Sequence, residues 1–233
     1  MVLVARNRER LQVLAERLQR EHNIEVQVAA ADLSNPDDIV EIAQKIGNQW
    51  PLDLLINNAS IGSVGLFHRQ PVAAETAQIE LNVVALVQLT HAVVPHMVAA
   101  GHGTIMNLSS LSALPPSPCS AIYGATKAFV TSFSESLHTE LSDTGVTVTA
   151  VMPGAVRTEF QQRVGEHAFD KVPERAWMSA DAVAVSALSA AARGDALHIP
   201  GRKYQAVAAA AHLMPRALLR TLARRTAPGQ TSI

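Results

Sequence analysis

The sequence contains one cysteine, Cys119, in 233 residues. It can therefore form no internal disulfide, and it suits a reducing compartment, with the cytoplasm as the default. No run of about 18 uninterrupted apolar residues suggests a membrane span. The first residues, Met1-Val2-Leu3-Val4-Ala5-Arg6, reach a charge too soon for a signal peptide. No group of Cys, His and acidic residues has metal-ligand spacing, so no metal is expected. His91 and His96 stand five apart on an expected helix and share no face well. A G-x-S-x-G elbow is missing, which argues against a serine hydrolase. A G-x-G-x-x-G turn is missing as well, and with it the usual phosphate cradle of a dinucleotide site. Net charge is −1, which argues against a nucleic-acid binder. The charge is unevenly spread. No acid follows Asp195, and the tail carries +6 from Arg202, Lys203, Arg216, Arg220, Arg224 and Arg225, leaving −7 for the rest.

What is present is apolar material in an alternating order. Hydrophobic residues make up 48% of the chain, enough for a sizeable core in one large domain. Residues 2–5 form a short apolar run that reads as a buried strand. Asn7 caps a helix to about residue 21, with Leu11, Leu14, Ala15 and Leu18 on one face. Residues 25–30 are the next strand. Asn35-Pro36-Asp37-Asp38 opens a helix, with proline at its first position and acids in its first turn. Further strands are expected at 52–57, 104–108, 146–152 and 196–199. Helices are expected at about 73–99, with a kink at Pro95, and at 120–141, 180–192 and 204–225, the last broken at Pro215. Residues 156–178 read as a long loop with short helices, and 227–233 as a frayed end. Such alternation implies a parallel sheet covered by helices on both faces, an α/β three-layer sandwich with its ligand site beyond the carboxyl ends of the strands.

Chemistry concentrates around Tyr123-Gly124-Ala125-Thr126-Lys127. Four residues of separation put the tyrosine and lysine on one helical face. A phenol titrates near 10, and a neighbouring ammonium favours its anion, so the pair can serve as a tunable acid/base group. Taken alone, the spacing is equally that of a helical tyrosine beside a surface lysine. Context narrows it: the expected strand 104–108 ends in Ser109-Ser110, where a parallel sheet opens toward its ligand, thirteen residues before Tyr123.

Asn57-Asn58-Ala59, Asn82, Ser110, Tyr123-x-x-x-Lys127 and Pro153-Gly154-x-x-x-Thr158 occur in order. Together they closely resemble the short-chain dehydrogenase/reductase family, over roughly residues 1–192. The resemblance implies a Rossmann-like doubly wound sheet and an oxidoreductase that interconverts a carbonyl and a secondary alcohol. It implies Tyr123 as general acid or base, Lys127 as its pKa modulator and ribose ligand, Ser110 as holder of the substrate oxygen, and Asn82 as support for a proton-relaying water. It places Asn57 and Ala59 in the cofactor groove, Asp32 and Leu33 at the adenine, and Pro153, Gly154 and Thr158 beside the nicotinamide. An acid at the end of the second strand of this fold binds the NAD ribose, whereas an arginine accommodates the NADP phosphate. Here Ala5-Arg6-Asn7-Arg8 supplies Arg6 and no acid, so NADP is expected over NAD.

The resemblance also has gaps. The family opens with a strand, a TGxxxGxG-type turn and a helix, none of which is found here, and Met1 aligns with the second strand. Three explanations arise: residues 2–5 shift to pair with 52–57, the chain folds poorly, or the true start lies upstream. The last is expected. Ser60 stands where glycine is usual, with little effect expected. Cys119 reads as a small apolar filler.

Residues 1–200 are expected to form the catalytic domain and 201–233 a basic amphipathic helical extension. That extension could lie on an anionic membrane, although a solvated charged face over an apolar side is the leading reading. The apolar content of 111–118 and the tail suggests a lipophilic ketone or acyl substrate. The family habit implies a homodimer or homotetramer. A non-catalytic remnant that cannot bind dinucleotide normally is the rival reading. A sugar-nucleotide epimerase sharing the Tyr-Lys pair is disfavoured by the short length and by Pro153-Gly154-x-x-x-Thr158.

Overall fold

The computed structural model describes residues 1–49, 51–165, 169 and 172–226. The expected frayed end, 227–233, lies outside these. The elements are β1 (Val2–Ala5), α1 (Arg8–His22), β2 (Gln27–Ala30), α2 (Pro36–Gln49), β3 (Leu54–Asn57), α3 (Val72–Ile79), α4 (Leu86–Ala100), β4 (Gly103–Leu108) and α5 (Ala121–Glu140). They continue with β5 (Val146–Val151), β6 (Val156–Arg157), α6 (Phe160–Val164), β7 (Met178–Ser179), α7 (Ala180–Ala192), β8 (Leu197–His198), α8 (Arg202–Leu213) and α9 (Arg216–Thr226). Strand–helix alternation is as expected, and every strand pairing is parallel.

Local chemistry explains the helix ends. Asn7 Oδ1 accepts from Arg10 N at 2.9 Å to cap α1, and Asn23 closes it in the left-handed region. Asn35 Oδ1 accepts from Asp37 N at 3.0 Å, one residue before Pro36 opens α2. Gly101 ends α4 at φ 74°, a conformation that glycine adopts without strain. The expected kink at Pro95 is not the main irregularity of the long helix. Pro95 sits inside α4, and the departure comes earlier, where Glu80–Ala85 forms a π-helical turn between α3 and α4. That turn carries Asn82, and such turns often mark functional sites.

The main sheet runs β3-β4-β5-β8. Side chains alternate across it. Ile105 and Val148 face α2, α4 and the end of α5, in a core with Ile39, Ile42, Leu89, Val93 and Met97. Met106 and Val151 face the other way, against Ala187 and Ala191 of α7. The continuous helical run Val72–Ala100 is long and apolar enough to cross a membrane by length and composition. Its Leu89, Val93 and Met97 are buried in this core.

The second face is only partly covered. Ile56 pairs in register with Met106, so it faces the α7 side. Yet Leu54 and Ile56 are 40% and 43% exposed, unusual for a strand of a parallel sheet. The reason is topological. β1 and β2 form their own two-stranded sheet, and among the described residues nothing pairs with the outer edge of β1 or of β3. Neither β1 nor β2 moves across to β3, so the shift considered from sequence does not occur. β1 and β3 instead flank one cleft of about 2380 Å³. The small sheet joins the rest through side chains. Ala31 and Leu33 are buried with Ile39, Asp38 Oδ2 accepts from Asp32 N at 2.6 Å, and Arg10 on α1 makes a two-pronged ion pair with Glu159, at 2.6 and 3.1 Å.

A buried polar cluster crosses the sheet. Asn57 Nδ2 donates to Asn107 Oδ1 at 2.9 Å and to Thr90 Oγ1 at 3.1 Å, and Asn107 Nδ2 donates to Ser134 Oγ at 2.9 Å. Asn107 is fully buried, and it links β3 and β4 to α5. Replacing Asn107 with Ala removes two hydrogen bonds worth about 0.5–1.5 kcal/mol each and opens a cavity in the core, while Asn57 keeps Thr90 and Ser134 keeps Val130. Urea unfolding of Asn107→Ala is expected to show a loss of about 2–4 kcal/mol. A loss under about 0.5 kcal/mol, the usual size of a surface substitution, would mean that the cluster is not holding these elements together.

Candidate active site

β4 ends at Leu108, and the chain then passes through Ser109 and Ser110 at the carboxyl end of the sheet. Ser109 Oγ donates to Lys127 O at 2.8 Å and lies 2.6 Å from Thr131 Oγ1, pinning α5 to the strand end. Tyr123 and Lys127 face the same cleft from the first turns of α5. Gly124 between them allows a close approach: a Cβ there would come within 2.8 Å of Ser117 Oγ.

Lys127 is 3% exposed. Its Nζ donates to the Leu108 carbonyl at 2.7 Å and lies 5.7 Å from the centroid of the Tyr123 ring. No acid pairs with it among the described residues. Burial therefore disfavours the ammonium, and its pKa falls from 10.5 to about 7. The Tyr123 phenol is pushed up, first by burial, while hydrogen bonding to Ser110 and Ser112 pulls it the other way. The expected depression of this phenol by Lys127 is not seen; the two serine hydroxyls are what favour its anion. Ser110 Oγ in turn accepts from Ser112 N at 3.2 Å and from Ser112 Oγ at 2.8 Å. Ser112 was not singled out from sequence, although a Ser-x-Ser step after a strand end could have pointed to it.

Asn82 is 1% exposed and stands behind the cleft wall. Its Oδ1 accepts from Ile61 N at 3.0 Å, and its Nδ2 donates to Ile61 O at 2.8 Å and to Thr126 Oγ1 at 3.1 Å. It thus clamps the 59–64 segment to α5 beside Tyr123. The Tyr123 ring also meets Phe160 of α6, centroid to centroid 5.5 Å. The space between the two rings and the backbone is small, since a Cβ on Gly62 would lie 3.0 Å from both. Cys119 acts through its backbone: it holds φ +65° and its carbonyl accepts from Gly65 N at 2.7 Å.

At the other end of the cleft, Arg6 lies 3.8 Å from Asp32, with both side chains largely exposed. The Asp32 carboxyl is held low first by the Ser34 hydroxyl at 2.6 Å, then by Ser34 N, with Arg6 a smaller cause. Leu33 is buried in the core and Ala59 stands exposed on the rim. The Asn57 amide turns inward to Asn107 and Thr90, so its backbone rather than its amide faces the groove. Pro153 O accepts from Leu111 N at 3.0 Å. Thr158 Oγ1 accepts from Phe160 N at 3.3 Å at the start of α6. One cleft brings together Arg6, Asp32, Leu33, Asn57, Ala59, Ser110, Tyr123, Lys127, Pro153, Gly154 and Thr158. It suits an elongated ligand with a polar group near Arg6 and a reactive end near Tyr123.

The profile of the short chain dehydrogenase family matches residues 1–168. The chain belongs to the short-chain dehydrogenase family. A relative of this chain is the NADP-dependent 3-hydroxy acid dehydrogenase YdfG of Escherichia coli (strain K12). It is 37% identical over 164 residues, which cover 69% of this chain and 64% of that one. The chain spans between 56 and 68% of the length of the curated relatives it matches first. Among solved structures, a short-chain dehydrogenase from Sphingobium yanoikuyae in complex with NADPH superposes with a TM-score of 0.83 at 35% identity, covering 99% of this chain and 88% of that one. The bulky-bulky ketone specific alcohol dehydrogenase from Comamonas testosteroni gives 0.76 at 30% identity, covering 100% and 86%.

The buried amine of the dehydrogenase has a measurable signature. Lys127 titrates near 7 in the folded chain and near about 10.4 when unfolded. Between those values only the unfolded chain binds the proton, so stability rises with pH across that window. Lys127→Met deletes this contribution. Urea midpoints taken from pH 7 to 10 are expected to climb less steeply in the variant. An unchanged slope would show that the amine is not buried as described.

Proposed function

We propose that this short-chain dehydrogenase is an NADP(H)-dependent oxidoreductase that interconverts a lipophilic carbonyl compound and its secondary alcohol. The observation that carries the reading is the Tyr123 hydroxyl, set among the Ser110 and Ser112 hydroxyls, with the buried Lys127 one turn away. The surrounding wall is apolar, with Leu111, Leu114, Val156, Phe160, Leu188 and Met214 lining it.

The nicotinamide, when bound, supplies or accepts the hydride. The protein's part is the proton and the orientation. Ser110 donates a hydrogen bond to the substrate oxygen. Tyr123 gives that oxygen its proton in reduction and removes it in oxidation. Lys127 binds the ribose hydroxyls, and an ammonium held there by the bound nucleotide favours the phenolate; without the nucleotide, only the Ser110 and Ser112 hydroxyls oppose burial. Asn82 keeps the neighbouring backbone in place and supports the relay of protons toward Lys127. Asp32 and Leu33 bound the adenine pocket, Asn57 and Ala59 the groove, and Pro153, Gly154 and Thr158 the nicotinamide. Arg6 favours NADP over NAD, and the NADP-dependent Escherichia coli relative and the NADPH complex from Sphingobium yanoikuyae support that choice. Residues 1–200 hold these groups, and from the extension 201–233 the described Tyr204, Val207, Ala211 and Met214 contribute a wall of the substrate end. The α5 face that carries Phe129, 41% exposed and stacked on Phe133, suits the contact of a homodimer or homotetramer.

A second reading is a chain that keeps these side chains but binds no dinucleotide. The Asn57 amide, committed to Asn107 and Thr90 rather than turned to the groove, favours it.

Titration of NADPH into the folded chain separates the two. Saturable binding, with propiophenone as a lipophilic ketone probe reduced at the expense of NADPH, supports the enzyme reading. Absence of binding supports the second. Tyr123→Phe is expected to lower turnover by about 10²–10⁴-fold, while the NADPH dissociation constant stays within about threefold because only a hydroxyl is lost. Turnover with NADH equal to or above that with NADPH would refute the role given to Arg6.

A further inference from the structure

α8 begins after Gly201, at φ +85°, and its third residue, Tyr204, reaches back into the active-site cleft. The Tyr204 hydroxyl accepts a hydrogen bond from Ala155 N at 3.0 Å and donates one to Ala176 O at 2.6 Å. One side chain thus joins two backbone points 21 residues apart. Lys203 adds to the same closure, with its Nζ donating to Arg175 O at 2.8 Å and Ala176 O at 2.9 Å. Beside them Met178 N donates to Ala155 O at 2.9 Å, and β6 pairs with β7. The Tyr204 ring lies flat against Gly154: a Cβ on that glycine would fall 2.1 Å from the ring.

The two anchored points lead directly to the site. Ala155 follows Pro153-Gly154, on the cleft wall. Five residues beyond Ala155 stands Phe160, whose ring meets the Tyr123 ring. Beyond Ala176 stands Trp177, which holds Arg157 over its face at 5.3 Å. Loss of the Tyr204 bonds therefore loosens Gly154, the start of α6 and Phe160 together, leaving the Met178–Ala155 and Lys203 bonds as the remaining ties. Backbone groups bound by a partly buried side chain lose conformational freedom before any ligand arrives, and a site held in its competent form binds more tightly than one that must first order itself.

We propose that Tyr204 is a positioning residue of the active site. It sets Gly154 and the two chain ends at 155 and 176 so that Phe160 stands against Tyr123. The kinetic part of this inference rests on the carbonyl–alcohol reading given above; the structural part does not.

Tyr204→Phe keeps the ring on Gly154 and removes both bonds. Tryptic cleavage after Arg163 in α6, measured at a temperature where circular dichroism shows every variant folded, reads the anchoring without need of turnover. The expected result is cleavage about tenfold faster than wild type, the scale set by losing two ordinary hydrogen bonds. With NADPH and propiophenone, KM is expected to rise about tenfold with kcat within about twofold, as a loss of pre-organisation predicts. A purely packing role would lower the melting temperature and leave both the cleavage rate and KM unchanged, and that outcome overturns the proposal. If propiophenone is not reduced even by wild type, the functional reading fails, and the cleavage rate alone decides the anchoring. Gly154→Ala supplies an independent check through the same two measurements. It is expected to resemble Tyr204→Phe alone, yet add nothing in a Tyr204→Ala background, where the ring it would strike is gone. Effects that add in full would show that the ring does not set Gly154.

Discussion

Strand β4 is hydrogen-bonded along both edges, to β3 and to β5, and its last carbonyl, that of Leu108, accepts the Lys127 ammonium. That bond fixes where α5 sits along the strand. Ser109 repeats the tie one residue later through the Lys127 carbonyl. With α5 held this way, Tyr123 projects over the strand end and Ser110 comes within reach of it. Asn82 then completes the arrangement from a third direction, joining Ile61 to Thr126. The site is held by backbone carbonyls and amides as much as by its own side chains, which is what keeps a few polar atoms oriented inside an apolar cleft.

Electrostatically the site is poised. A lysine without a carboxylate partner is costly to bury, and here the cost appears as an amine that titrates close to neutrality. Tyr123 moves the opposite way, toward the neutral phenol. Both shifts come chiefly from the same removal of water. A group that arrives with hydroxyls or charge at this spot alters both at once, so the acid/base properties of the pair belong to the loaded cleft rather than to either residue alone.

Much of this was legible in the residues, because the signals were local. Asn7 and Asn35-Pro36 mark helix starts by capping chemistry that acts within a turn. Alternating apolar segments announced the strands, and the Tyr123–Lys127 spacing is a property of one helix. Other features depend on contacts distant in sequence and left little trace. The π-helical turn at Glu80–Ala85 has no composition of its own, so the visible proline at 95 drew the expected kink to the wrong place. Asn57, expected in the groove, spends its amide on Asn107, fifty residues away. Phe160 and Tyr204 each lie dozens of residues from Tyr123 and meet the site only through tertiary folding. The pKa of Tyr123 was misjudged for a related reason: spacing along a helix indicates which charge is near, while burial depends on everything packed around it.

The separation of β1 and β2 from the main sheet has a mechanical consequence. In a continuous sheet, a displacement at one strand travels to the next through the hydrogen-bond ladder. Here the ladder stops at β3. Among the described residues, Arg6 and Asp32 connect to the Tyr123 end through side chains: packing of Val4, Ala29 and Leu33 on the main core, the Asp38 contact, and the solvent-exposed pair Arg10–Glu159. Exposed ion pairs are weak and are screened by salt. Among the described residues the two ends of the cleft are therefore joined by side chains rather than by a hydrogen-bond ladder, and the exposed Arg10–Glu159 pair is the part of that joint that salt screens.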